Sequence, residues 1–299
     1  MRPIWAKIRV VSIVQLVFWL FRCAVVAQEL PFLRRVTIMA TVQLQAGDAI
    51  YTYGYKIRND SSSVGTVDRA QIDIATEKNS MLLDTTGLKF ARPFIKLLFE
   101  TNYPKLLGRA VPVGFPGLPP LWIGSMTEGA KVSFYGQSIE PGETLQGFAI
   151  TSRGLPGIRS FSAEPRDISD LYPSPDEVSN PDSLARRIDE DREAVKFRDL
   201  TVAPVAPPTD FAPTIWLDTL ISYKHQALSL GWITNQGIAN SFDQKLENAR
   251  KQLQRGNNKA AKNILDAFLN EVEAQKDKHL TSEAYALLKY NAEYLISKL

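Results

Sequence analysis

The chain has 299 residues, 44% of them hydrophobic, with 35 basic against 32 acidic residues, two histidines and one cysteine. That length leaves room for two domains with cores of their own. The counts exclude a disulfide-stapled framework and a Cys/His zinc cluster, and the near balance of charge argues against a nucleic-acid binder.

Residues 1–27 read as a secretory signal peptide. Arg2, Lys7 and Arg9 form a positive start, Val10 to Phe21 a short apolar core, and Val25-Val26-Ala27 a small-residue ending before Gln28. An uncleaved anchor needs about 20 apolar residues, and this run is shorter and closed by Arg22. A lipid on Cys23 is a third reading, which Arg22 fits poorly. Cleavage at Gln28 removes four basic residues and no acidic one, taking the formal charge of +3 to −1, and it removes the cysteine. The expectation is an extracytoplasmic protein with no stable membrane span after cleavage and no nucleic-acid partner.

Residues 28–205 carry a period of two, the signature of strands. Val36 to Leu44 alternates, Ala49 to Ile57 is aromatic and β-branched, and Val67 to Ala75 alternates again. Lys131 to Tyr135, Thr144 to Ser152, Gly157 to Glu164 and Phe197 to Ala203 follow, with a Pro141-Gly142 turn between them. Tyr51-Tyr53-Tyr55, Pro141-Gly142 and Gly147-Phe148 resemble the immunoglobulin-like sandwiches of bacterial exported proteins, in architecture alone.

Two stretches interrupt the strands. Phe90 to Gly124 is long, apolar and rich in proline. It reads as a helical cap over the end of the sandwich built on Phe94, Leu97, Leu98, Leu106 and Leu107. The alternatives are an apolar binding surface around Phe115, Pro116, Leu121 and Trp122, or a contact with Trp216 and Trp232. If a site exists, the expected binding residues are Phe115, Leu121 and Trp122. The other stretch, 166–195, is polar, with a charged helix expected over Ser183 to Val195 and a solvated face at Arg186 to Arg192.

A proline-rich linker is expected over 206–213, protease-sensitive, with a separately folding helical unit over 214–299. One helix is expected around Trp216 to Leu230. In the next, Phe242, Leu246, Ala249 and Leu253 share a face, with Ser241 and Gln244 as a capping box and Gly256 as the stop. Asn257 or Asn258 caps a third helix carrying Ala261, Ile264, Leu265, Phe268, Leu269 and Val272. Thr281 caps a fourth, with Ala284, Leu287, Leu288, Leu295 and Ile296 inward. Short polar breaks between such helices favour a small antiparallel bundle.

Gly237-Ile238, Lys245-Leu246, Ala249, Gly256, the run Ala261 to Phe268, Asn270, Val272 and Ala274-Gln275 resemble the FIMAH-type helical module of bacterial secreted hydrolases and surface proteins. The resemblance implies an accessory module at the cell exterior and no particular chemistry. The expected fold is therefore multi-domain: an antiparallel immunoglobulin-like β-sandwich followed by a small all-α bundle.

No catalytic motif emerges. His225 and His279 lie in no metal-binding spacing. Gly136-Gln137-Ser138-Ile139-Glu140 lacks the second glycine of a nucleophile elbow. Asp73, Glu77, Glu128, Glu140, Glu143 and Glu164 cannot be placed in a cleft from sequence. Asn59-Asp60-Ser61-Ser63 with Asp68 offers oxygen ligands without the EF-hand spacing, and reads as an ordinary turn. The reading is a non-catalytic binding or assembly protein, without cofactor or metal, acting on an envelope protein or a polysaccharide. The alternative is an extracytoplasmic carbohydrate-active hydrolase carrying an accessory module.

Overall fold

The computed structural model describes residues 30–45, 49–74, 114–127, 131–208 and 210–299. The expected signal peptide and residues 90–113 of the apolar segment lie outside them.

Among the described residues, nine strands form two antiparallel sheets. The first has the order β1-β2-β7-β4, from β1 (Val36–Gln45), β2 (Ile50–Asn59), β7 (Thr144–Ser152) and β4 (Gly114–Gly117). The second has the order β5-β6-β3-β8-β9, from β5 (Ile123–Thr127), β6 (Lys131–Ile139), β3 (Val67–Asp73), β8 (Leu155–Glu164) and β9 (Phe197–Val205). Alternation orients β1, β2 and β3. Tyr51, Tyr53, Tyr55 and Ile57 of β2 are buried while Lys56 and Arg58 are exposed.

Aromatic rings join the two sheets. Phe134 of β6 lies 5.2 Å from Phe148 of β7 and 6.3 Å from Tyr55 of β2, centroid to centroid. The Tyr55 hydroxyl reaches across to donate to the Val202 carbonyl of β9 at 3.2 Å. A buried phenol needs such a partner, because leaving it unpaired costs about 1–3 kcal/mol.

Between β8 and β9 runs a polar excursion with two short 3-10 turns and helix α1 (Pro181–Val195). Asn180 caps α1 by accepting from the Ser183 N–H, and Pro181 takes the first helical position. Pro204, expected in the linker run, is instead paired with Pro156 at the end of β9. β9 is an edge strand, where a missing N–H is tolerated.

Four helices complete the chain: α2 (Pro213–Ser229), α3 (Gln236–Gln254), α4 (Asn258–Gln275) and α5 (Ser282–Lys298). The expected capping box at Ser241 is wrong. α3 begins five residues earlier, capped by Asn235, whose side chain accepts from the Ile238 N–H at 3.2 Å. Ser241 is one turn inside, where its hydroxyl donates to Glu271 at 2.9 Å and accepts from Lys245 at 3.0 Å. The other signals hold. Gly256 adopts φ +71° after α3, Asn257 caps α4 through the Ala260 N–H, and Thr281 caps α5 through the Ala284 N–H.

The helices do not stand apart from the sheets. α5 lies against β1, β8 and β9 on one side and α2 and α4 on the other. β1 is an edge strand, and α5 occupies its open backbone groups: the Ala40 N–H donates to Glu283 Oε1 at 2.6 Å and the Val42 carbonyl accepts from the Tyr290 hydroxyl at 3.1 Å. Asn291 Nδ2 donates to the Pro156 carbonyl of β8 at 2.8 Å. Trp216 packs on Tyr294 and donates its indole N–H to the Asn291 carbonyl, so among the described residues its partner is α5. At Gly157 a Cβ would sit 2.1 Å from Val205 of β9 and 3.0 Å from the Tyr223 hydroxyl of α2, so a side chain there would collide with Val205. The apolar cores of sheets and helices are one continuous cluster.

Candidate functional site

The three binding residues expected from sequence lie in or beside the turn between β4 and β5. Phe115 is 5% exposed and packs edge-on against Phe134. Its ring also covers Gly124, where a Cβ would fall 2.4 Å from it. Trp122 is 4% exposed, with its ring 4.9 Å from Phe148 in a T-shaped contact. Leu121, between them in the chain, is 76% exposed and adopts φ +63°. The turn therefore sends two rings into the inter-sheet core and leaves Leu121 on the surface with its neighbours Pro116 and Pro120. The described end of the segment enters the fold as two short strands, and the helical cap expected over Phe94 to Leu107 lies outside the described residues.

A polar groove lies elsewhere, between the second sheet and the excursion. It has a volume of about 490 Å³ and is lined by Asp68 and Arg69 of β3, Tyr135 and Gly136 of β6, Glu164 of β8, and residues 165–168 with Arg192 and Val195. That volume falls in the range of ordinary ligand sites. Glu164 is 8% exposed and lies between two cations, Arg69 at 3.3 Å and Lys196 at 3.2 Å. Arg192 reaches Asp189 at 2.7 Å, Asp167 at 3.3 Å and the Ser169 hydroxyl at 3.1 Å. The Ser169 hydroxyl and backbone N–H both donate to Asp167, and with Arg192 they hold its carboxyl down to about 2. Asp68 accepts from Thr66 at 2.6 Å.

The arrangement is a set of closed ion pairs that fastens the excursion to the sheet. Exposed pairs of this kind contribute about 0–1 kcal/mol each. Both Glu164 oxygens are engaged, Oε2 by Arg69 and Oε1 by Lys196. Sequence reading missed this groove because Arg69 and Glu164 stand 95 residues apart. The charged stretch at Arg186 to Arg192 gave a partial signal: Arg192 turns inward to the groove, while Arg187 stays exposed and pairs with Asp191 along the helix.

The remaining candidates resolve locally. The Asp60 carboxylate accepts from the Ser62 N–H at 3.0 Å, closing the Asn59 to Ser63 turn on itself. Asn59 donates to the Gly65 and Ile139 carbonyls. Among the described residues no group of three or more His, Cys, Asp or Glu side chains could hold a metal ion. His225 is exposed and faces Asp243 at 3.2 Å, and Asp243 also takes the buried Lys224 ammonium at 2.6 Å. His279 contributes its carbonyl to the Thr234 N–H. Ser138 lies in β6. No helix among the described residues is long and apolar enough to cross a membrane.

Compared with known families, residues 224–297 match the FIMAH domain. The match runs from Lys224 in α2 to Ser297 in α5 and so covers the helical unit that α5 joins to the sheets. No curated protein matches the chain. FIMAH domains are found in surface proteins.

Proposed function

We propose that this is an exported, non-catalytic binding or assembly protein. In this reading the two-sheet unit presents the binding surface and the FIMAH domain holds it as a fixed part of the same body. The observation that carries the reading is the junction at α5. Glu283, Tyr290 and Asn291 place hydrogen bonds on Ala40, Val42 and Pro156 of the sheets. An accessory domain on a flexible tether has no need of buried polar contacts with its neighbour. The partner class that fits is an envelope protein or a polysaccharide.

The strand order supports an immunoglobulin-like sandwich as the binding scaffold. β1, β2 and β7 neighbour one another as A, B and E do in that fold, and β3, β8 and β9 as C, F and G do. β6 and β5 then extend the second sheet beyond β3.

The test is to incubate the purified exported protein with soluble xylan, hydroxyethylcellulose and alginate while measuring newly formed reducing ends. The expected result is no release above a protein-free control. Release that scales with enzyme concentration would replace this reading with a carbohydrate-active hydrolase.

A further inference from the structure

The outer face of the five-stranded sheet holds a second cavity beside the groove. Along β3, Arg69, Gln71 and Asp73 alternate with the fully buried Ala70 and Ile72, so they stand on the face turned away from the core. The ladder registers then place Ser125, Ser133, Gln71, Ser162 and Arg198 in one row across all five strands. The Gln71 amide donates to the Ser133 hydroxyl at 2.9 Å, which fixes the middle of that row. The adjacent row runs Ile123, Tyr135, Arg69, Glu164.

The two cavities follow the same strands end to end. The groove of about 490 Å³ lies over Asp68 and Arg69, and a second, of about 500 Å³, lies over Gln71, Asp73, Ser160 and Ser162 with β9 as its side. From Asp68 to Asp73 the rise of a strand gives a trough of roughly 17 Å. The short side chains along it are Ser160 and Ser162 of β8, with Arg198 beside Ser162. Tyr135 and Arg192 stand at one end and Lys131, opposite Asp73, at the other.

We propose that this trough binds a glycan chain lying along β3 and β8. The proposal names the ligand and the place for the binding role set out above, and it rests on that reading. The chemistry selects the class. Arginines and lysine alternate with carboxylates along the lining, so the surface has no single sign for a polyanion such as nucleic acid. It is too polar for a lipid or for the apolar face of a helix. A peptide strand adds to a sheet edge through its backbone, and a sheet face offers it no ladder. A polyhydroxylated chain needs donors and acceptors closely interspersed along an extended path, with an aromatic face for a sugar ring. Ser162, Gln71, Arg69 and Tyr135 supply that set.

Native gels containing either hydroxyethylcellulose or alginate test the trough, and the two gels distinguish a neutral from a uronate chain. Wild-type protein is expected to be retarded in at least one. Ser162→Arg, which fills the trough, and Tyr135→Ala, which removes the ring, are each expected to lower retardation about tenfold in apparent affinity. Leu121→Asp, away from the trough, is expected to leave it unchanged. Gln71→Ala serves should Ser162→Arg shift the melting temperature. Retardation of the trough variants equal to wild type would overturn the trough while leaving a binding role elsewhere. No retardation of wild type in either gel would also overturn it. New reducing ends lost in Tyr135→Ala would keep the trough and sink the non-catalytic role.

Discussion

The outer and inner halves of the helical unit are built on different rules. α3 and α4 each bury one stripe: Ala239, Phe242, Leu246, Ala249 and Leu253 on one, Ala261, Leu265, Phe268 and Val272 on the other, with Phe242 and Phe268 meeting edge to face at 5.2 Å. α5 buries nine of its residues on several sides, including Glu283, Tyr290 and Asn291. α3 meets α2 and α4, and α4 meets α3 and α5, along one side each, so one apolar stripe serves each of them, whereas α5, with helices on one side and a sheet on the other, is buried nearly all round. The second neighbour of α5 is a sheet, whose edge presents backbone groups that apolar side chains cannot satisfy. The polar residues on α5 are therefore the ones that meet the sheets.

The sharpest way to break this contrast is to cut each half where it is said to be strong. Phe268→Ala removes a fully buried ring from the α3–α4 seam and is expected to cost about 3–5 kcal/mol. Because the core is continuous, the loss is expected to appear as one shifted thermal transition of the whole protein, monitored by circular dichroism at 222 nm and by tyrosine fluorescence. Two transitions, with the sheets melting unshifted, would mean that the junction does not couple the halves and would restore the separable module expected from sequence.

Alkaline pH probes the junction itself. Tyr51 of β2 lies 5.2 Å from Tyr290 of α5, and burial, with Glu293 and Tyr290 nearby, pushes its phenol up to about 12. A phenol unfolds to its ordinary value near 10. The folded pKa is the higher one, so this contribution is fully present below pH 10 and is lost as pH rises toward 12. The shift corresponds to about 2–3 kcal/mol. Tyr53 and Tyr55 are also raised by burial and share the alkaline window. Tyr51→Phe is expected to flatten part of the fall in denaturant midpoint between pH 10 and 12. An unchanged slope would show that Tyr51 is not sealed by α5.

Glu283→Ala is the smaller cut at the same place. It leaves the Ala40 N–H of β1 without its acceptor, which is expected to cost about 1–3 kcal/mol. Amide exchange at Ala40 is expected to speed up more than at Phe268. Equal protection in both proteins would remove the carboxylate from the junction.

The contrast also separates what could be read from sequence. The stripes of α3 and α4 were legible because one-sided burial imprints a period of 3.6 on the residue order. The inward rings of β2 were legible for the same reason at period two. Only part of α5 was legible: Ala284, Leu287, Leu288 and Leu295 stood out, while Glu283, Tyr290 and Asn291 gave no signal. Nothing local marks a polar residue as buried when its partner, such as Ala40, is 243 positions away. β4 and β5 were hidden for a different reason. Gly114–Gly117 is four residues with a proline inside, too short for any alternation to register. The groove failed on range, since its ion pairs join β3, β8 and α1.

The smallest expected effect lies on the outward face of α4. Asn263 and Asn270 are exposed, seven residues apart on one helix face, and neither belongs to the buried stripe. α4 meets α3 and α5 through its buried stripe, so this outward face has no packing role. Asparagine is also a poorer helix former than alanine, by about 0.5 kcal/mol. The double change Asn263→Ala and Asn270→Ala is therefore expected to leave stability unchanged or raise it by up to about 1 kcal/mol, measured by urea denaturation with an unaltered m-value. A loss of 1 kcal/mol or more would mean that these amides are held by something in the fold. The outer helices would then be packed on a second side as α5 is, and the distinction between the two halves would fail.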